Sequence, residues 1–312
     1  MTNWNDLPME IKMMIIKEMP FETRTNLKMC SKSDRMMVQC IPLAFGDIKL
    51  WTRRDGWKQE IEVQRPDKSV LFEIRPCGQN TMKVVFNDTT RMIPYETDDE
   101  AKSILRRISL SIFATIFTTT NVTIEHFQTD YEFPDEYLDA INRPRCTKIS
   151  IAYARAADVI NYMRKFTTKD FHVCQNVDDD DNELDESNET SEMLMNYDRL
   201  ICEMSNGINN EQLLTFEGSE LLLGPTDVTS TGLNLFIKKM TAADQYSNKR
   251  SFCMEVKYRL YWNRLLEGIE CESHRSYWDV CFKYKVAPGC CWYIGYTNDD
   301  STFYLQKEPP VS

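Results

Sequence analysis

The apolar periodicity of the chain changes character at Pro42, and that change divides what it can fold into. Ahead of Pro42 the spacing is helical. Asp6-Leu7-Pro8 reads as a helix start, with Asp6 as the cap and Pro8 just inside, where its missing N–H costs nothing. Ile11, Met14, Ile15 and Met19 follow on one face of a 3.6-residue period, and Pro20 stops the helix. A second helix is expected over residues 21–29 and a third from Ser33, carrying Met36, Met37 and Val38.

Beyond Pro42, residues 45–50, 58–63, 69–75 and 81–86 alternate apolar with polar or are rich in β-branched side chains. Asp55-Gly56, Pro66-Asp67 and Cys77-Gly78 separate them, which predicts antiparallel strands. Residues 102–118 return to helix, with Ile104, Leu105, Ile108, Ile112 and Ile116 in register. Strands are then expected at 122–127, 147–152 and 170–175, with helices at 135–141 and 155–166 between them. That spacing, roughly two dozen residues, is near the period of leucine-rich repeats, although their strict Leu and Asn pattern is not found. Residues 193–204 read as helical and 212–217 and 220–223 as extended. Residues 230–240 read as a helix capped by Thr229, and strands return at 251–258, 277–285, 291–296 and 301–306. The fold class is α+β: a short three-helix block over residues 1–42, then a β-rich domain over 43–312 with leucine-rich-repeat-like helix and strand units.

Charge narrows the partners. The net charge is −11, but residues 178–192 hold nine acidic and no basic side chains, so the rest of the chain carries only −2. That stretch is expected to be a solvated loop. A nearly neutral remainder and a pI of about 5.0 argue against a nucleic-acid partner, which calls for a basic patch. No apolar run approaches the ~18 residues a membrane span needs, and the first ten residues carry two acids and no base, unlike a signal peptide. The expectation is an intracellular protein, cytoplasmic and/or nuclear, with no membrane partner. Its eleven cysteines are then reduced thiols, and the sequons at Asn87, Asn121 and Asn188 are chance.

Motifs for chemistry are absent. No Gly-x-x-x-x-Gly-Lys or Gly-x-Gly-x-x-Gly turn occurs among ten glycines. His126, His172 and His274 lie far apart and read as structural histidines. No Cys-x-x-Cys pair exists, and adjacent Cys290-Cys291 have a spacing that closed zinc sites rarely use. The expectation is therefore no catalytic residue, no cofactor and no metal.

The N-terminal segment does carry a pattern. Leu7-Pro8-x-Glu10-Ile11, then Ile15-Ile16, Met19, Leu27 and Cys30-Ser31-Lys32, resemble the F-box, and Trp4 with the Cys-Ser-Lys ending resembles its nematode-expanded branch. Gly232-Leu233-Asn234-Leu235-Phe236-Ile237-Lys238-Lys239 resembles a segment of the F-box-associated domain in that branch, with Met240 where Trp is usual. The resemblance implies a substrate receptor of an SCF-type cullin-RING ubiquitin ligase. It would dock on a Skp-type adaptor, and through it on a cullin, and hold an unidentified protein substrate with its C-terminal domain, catalysing nothing itself. Carried over by position, adaptor contact or its support falls to Leu7, Pro8, Ile11, Ile15, Ile16, Met19, Leu27 and Cys30. Five methionines between Met9 and Met29 suit an adaptable binding surface. Trp262, Tyr277, Trp278, Trp292 and Tyr293 could meet a substrate, though strand aromatics are more often core. Two alternatives stand beside this reading: a repeat scaffold with no tie to ubiquitin, and a hydrolase or transferase with an unrecognised site. An exposed apolar stripe in the first forty residues favours the receptor, and a buried one favours the scaffold.

Overall fold

The computed structural model describes residues 4–19, 21–52, 59–64, 69–77, 80–86, 89–117, 122–130, 141, 143–152, 156–174, 184, 188–243, 250–273, 280–287, 290–297 and 301–307. The expected helix at 135–141 apart from Ile141, most of the acidic stretch, His274, Tyr277 and Trp278 lie outside these residues. The architecture is α+β, with a helical N-terminal segment followed by a strand-rich region, and it separates into two compact units.

The first unit opens with a 3-10 turn, Trp4–Asp6, and helices α1 (Met9–Glu18), α2 (Phe21–Cys30) and α3 (Lys32–Cys40). Asp6 is not the cap expected for α1. Pro8 takes an extended backbone, φ −55° and ψ 150°, so the helix starts one residue later and no side chain caps it. The first helical bond runs from the Lys12 N–H to the Pro8 carbonyl at 3.0 Å. Strands β1 (Leu43–Thr52), β2 (Gln59–Gln64), β3 (Ser69–Pro76), β4 (Thr81–Phe86) and β5 (Thr89–Pro94) form an antiparallel meander. Strand β6 (Val122–Thr129) lies beside β1.

Helix α4 (Asp98–Phe117) covers the meander through Ala101, Ile104 and Leu105, which pack on Ile74 and Met82. Farther along α4, the Ser109 hydroxyl donates to Gln59 Oε1, so both buried polar groups are satisfied. Phe117 meets Phe127 and Phe166 edge-on, while Phe127 and Phe166 stack with centroids 5.1 Å apart.

The second unit is organised by register. Strands β7 (Arg145–Ala152), β8 (Asp170–Cys174), β9 (Arg199–Cys202), β10 (Glu220–Thr226) and β11 (Ser251–Val256) pair in parallel. The sheet then turns antiparallel through β15 (Thr302–Lys307), β14 (Cys290–Thr297), β13 (Val280–Ala287) and β12 (Cys271–Ser273). Ile149, Phe171, Leu200, Leu221, Phe252, Leu305 and Ile294 fall in one row across neighbouring strands, and every one is buried. The next row, Ile151, Val173, Cys202, Leu223, Met254, Phe303 and Tyr296, is buried as well. A one-residue slip of any strand would turn its contribution out of both rows, so the apolar pattern fixes the register.

Helices α5 (Ala156–Lys165), α6 (Asn188–Leu194), α7 (Asn210–Leu213), α8 (Ser230–Ala243) and α9 (Trp262–Leu265) connect the strands. Phe252 carries the packing of this unit, meeting Phe216 and Phe236 edge-on and stacking 6.2 Å from the fully buried Trp292. Gly224 allows a close approach within the ladder, because a Cβ there would stand 2.3 Å from the Glu203 carbonyl oxygen.

β5, α9 and β12 have no counterpart in the sequence reading, and two expected segments take another form. Residues 193–204 are not one helix: α6 ends at Leu194, and β9 follows because Leu200 and Cys202 pair beside Phe171 and Val173. Residues 212–217 are not extended, because a capping box starts α7. The Asn209 side chain accepts from the N–H groups of Glu211 and Gln212, and the Asn209 N–H donates to Gln212 Oε1. Phe252→Ala is expected to destabilise the second unit by about 3–5 kcal/mol, read as a lowered denaturation midpoint in guanidinium chloride.

Candidate functional site

The N-terminal helices bury one side and leave the other open. Ile16 is 0% exposed and clusters with Met37, Val38 and Ile41, while Trp4, Met13, Met19 and Leu27 pack around it, half-buried. At 100° per residue, Ile11, Met14 and Ile15 share an arc of about 100° on α1, roughly opposite Ile16. Their exposures are 41%, 66% and 38%. Met9 and Met36 are exposed too. Three neighbouring apolar side chains on one helix face are therefore open to solvent, which is how an unoccupied contact surface looks.

Polar contacts hold that face in place. Trp4 Nε1 donates to Asp34 Oδ1 at 2.9 Å, and the Ser31 hydroxyl donates to Asp34 Oδ2 at 2.7 Å. Ser31 also caps α3, its Oγ accepting from the Asp34 N–H at 3.0 Å. Asp34 thereby ties the 3-10 turn to the start of α3. The Ser31 hydrogen bond, followed by that from Trp4, holds the Asp34 carboxyl below its ordinary value. Arg24 donates to the Met19 carbonyl at 2.9 Å and to the Lys17 carbonyl, closing the C-terminal end of α1 with a cation where the helix dipole favours one. Lys12 lies over the Trp4 ring, 5.8 Å from its centroid, and donates to the Asn5 carbonyl at 3.2 Å.

Comparison with known families matches residues 4–43 to the F-box domain. The N-terminal segment is an F-box. F-box domains bind Skp-type adaptors within SCF ubiquitin-ligase complexes. No curated protein and no solved structure matches the chain. Among the described residues no helix is long and apolar enough to cross a membrane.

Of the positions carried over from the F-box pattern, Ile11 and Ile15 lie on the open arc, Pro8 is exposed beside the start of α1, and Leu7 is half-buried. Met19 and Leu27 pack on the Ile16 cluster, and Ile16 itself has no surface to offer, so these three support the face rather than form it. Cys30 is exposed at the end of α2, where its thiol donates to the Asn26 carbonyl at 3.5 Å. The pattern did not single out Met14, which continues the exposed arc, or Asp34, whose partners lie 30 and 3 residues away.

In the C-terminal region, Trp292 is core, Trp262 packs on Phe282 with centroids 5.0 Å apart, and Tyr293 lies under Lys283. The Leu-Asn segment on α8 is structural as well. Asn234 Nδ2 donates to the carbonyls of Leu265 and Glu267, and Lys239 donates to those of Leu214 and Phe216.

One polar cluster gave no signal in the sequence, since it joins two strands. The donor atoms of His172, Cys174 and Glu203 lie within 4.8 Å of one another. Burial lowers the His172 pKa, and burial followed by the Glu203 carboxylate raises that of Cys174.

Asp34→Ala is expected to cost about 2 kcal/mol through two lost hydrogen bonds to a charged acceptor. Because the folded carboxyl titrates below its ordinary value of 3.8, its stabilisation is full above that pH and is lost as pH falls through the lowered folded value. Chemical unfolding of wild type and variant across that range should show the difference shrinking with acidity.

Proposed function

We propose that this chain is a substrate receptor of an SCF-type cullin-RING ubiquitin ligase. It docks by its F-box on a Skp-type adaptor, reaches a cullin through that adaptor, and holds a protein substrate with its strand-rich C-terminal region. The observation that carries the reading is the open arc of Ile11, Met14 and Ile15 inside the matched F-box segment. An intramolecular stripe would have been covered; this one is available to a partner.

Physically, the receptor contributes proximity. Tethering a substrate beside a ligating enzyme raises the effective concentration of its lysines without any chemistry in the receptor. The chain is accordingly read as non-enzymatic and intracellular, with a three-helix F-box made of α1, α2 and α3. The C-terminal region is read as an F-box-associated domain of the nematode type. The buried rows of β7–β11 with helices between successive strands support a leucine-rich-repeat-like stack as its core.

Docking is tested with full-length protein and purified Skp-type adaptor. The double variant Ile11→Asp, Ile15→Asp is expected to weaken binding by at least about thirtyfold, as loss of a hot spot of about 2 kcal/mol does. Its far-ultraviolet circular dichroism should be unchanged, because both side chains are partly exposed and neither belongs to the buried Ile16 cluster. Undiminished binding by a folded double variant, or no binding by the folded wild type, would overturn the docking reading.

A further inference from the structure

We propose that His172, Cys174 and Glu203 form a three-ligand zinc site on the face of the second unit's sheet that points away from its two buried rows. The site is independent of the F-box reading, because all three residues belong to the second unit.

The strand geometry places the ligands. His172 and Cys174 are two apart on β8 and so share a face, opposite the buried Phe171 and Val173. Glu203 follows β9 directly, next to the inward-facing Cys202, and its side chain comes to the same outer face. Its backbone is held on both sides: the Glu203 N–H donates to the Val173 carbonyl at 3.1 Å, and Gly224 lets β10 close against the Glu203 carbonyl. The His172 backbone is locked between Ser150 of β7 and Ile201 of β9. Ligands on rigid, paired strands lose little freedom when a metal arrives.

The distances suit one tetrahedral ion. Zn–S of about 2.3 Å and Zn–N of about 2.0–2.1 Å put two ligand atoms roughly 3.6 Å apart across a tetrahedral angle. Cys174 Sγ and His172 Nε2 stand 3.3 Å apart, and the three donor atoms fall within 4.8 Å. The Cys174–His172 pair would open by a few tenths of an ångström, and the exposed Glu203 side chain would swing in by up to about 1.2 Å to complete the geometry. One imidazole, one thiolate and one carboxylate are the borderline set that zinc accepts, whereas Mg²⁺ and Ca²⁺ call for oxygen donors throughout. Three protein ligands leave a fourth position for water. On binding, the Cys174 S–H bond breaks, its proton goes to solvent and the sulfur–zinc bond forms, with no change in oxidation state.

The test uses the full-length chain, stripped with chelator and titrated with Co²⁺ as a spectroscopic substitute for zinc. The expected result is a near-ultraviolet thiolate-to-cobalt charge-transfer band that saturates at one equivalent and disappears when Zn²⁺ is added. Cys174→Ser should abolish the band, while Cys291→Ser, another half-buried cysteine outside the cluster, should leave it intact. Glu203→Gln alters an exposed side chain and is chosen to keep the fold. It should weaken zinc affinity by an order of magnitude or more, since even losing a residue that only supports a ligand costs tenfold to a hundredfold. No thiolate band at one equivalent of Co²⁺, a band that survives Cys174→Ser, or unchanged zinc affinity in Glu203→Gln would each overturn the proposal.

Discussion

Forty residues of helix cannot wrap an apolar core of their own, and the behaviour of the N-terminal segment follows from that limit. Ile16 is the one α1 side chain that reaches full burial, and it does so against three residues of α3 and its end: Met37, Val38 and Ile41. Once that side of α1 is committed inward, the apolar residues at positions 11, 14 and 15 are left exposed. Burying an isoleucine is worth about 1.5–3 kcal/mol, so a partner that covers this arc gains what folding left unspent. The exposed arc and the buried Ile16 are two results of one geometric limit.

The arc is useful to a partner only if it is presented in a fixed orientation, and polar contacts supply that. Asp34 receives Trp4 from before α1 and Ser31 from the start of α3, so the segment is closed at both ends by one carboxylate. Arg24 does the same at the far end of α1 through the carbonyls of Met19 and Lys17. These hydrogen bonds run between other groups than the exposed apolar side chains, yet they set the direction in which those side chains point. Preorganisation of this kind reduces the entropy lost on docking.

Local pattern carried most of the elements into the sequence reading, and pairing between distant segments carried what it missed. Strands β1 to β4, α4, α5 and α8 could be read because their apolar periods are internal to each segment, whereas β5 is almost wholly exposed and shows no such period. Strand β9 could not: four residues, Arg199–Cys202, take their extended form from Phe171 and Val173 on one side and Leu221 and Leu223 on the other. The cap that makes α7 depends on the Asn209 and Gln212 side chains, and an apolar-period reading gives such polar residues no weight. At the F-box the motif marked Ile11, Ile15 and Ile16 alike and could not tell the exposed pair from the buried one. Which of three nearby isoleucines faces inward is decided by where α3 packs.

The same logic explains why the His172, Cys174 and Glu203 cluster has no motif. In a parallel ladder, residues adjacent in space are separated by a whole connection, here the 28 residues between Cys174 and Glu203, and connection lengths vary from unit to unit. A ligand spacing in the sequence would therefore carry little information even if the site were fully formed. What does carry information is the register: once Phe171 and Leu200 share a row on the inner face, His172 must share one with Ile201 on the outer face, and the Glu203 N–H bond to the Val173 carbonyl carries Glu203 on toward Cys174. The buried rows that stabilise the second unit also fix which polar side chains meet on its opposite face.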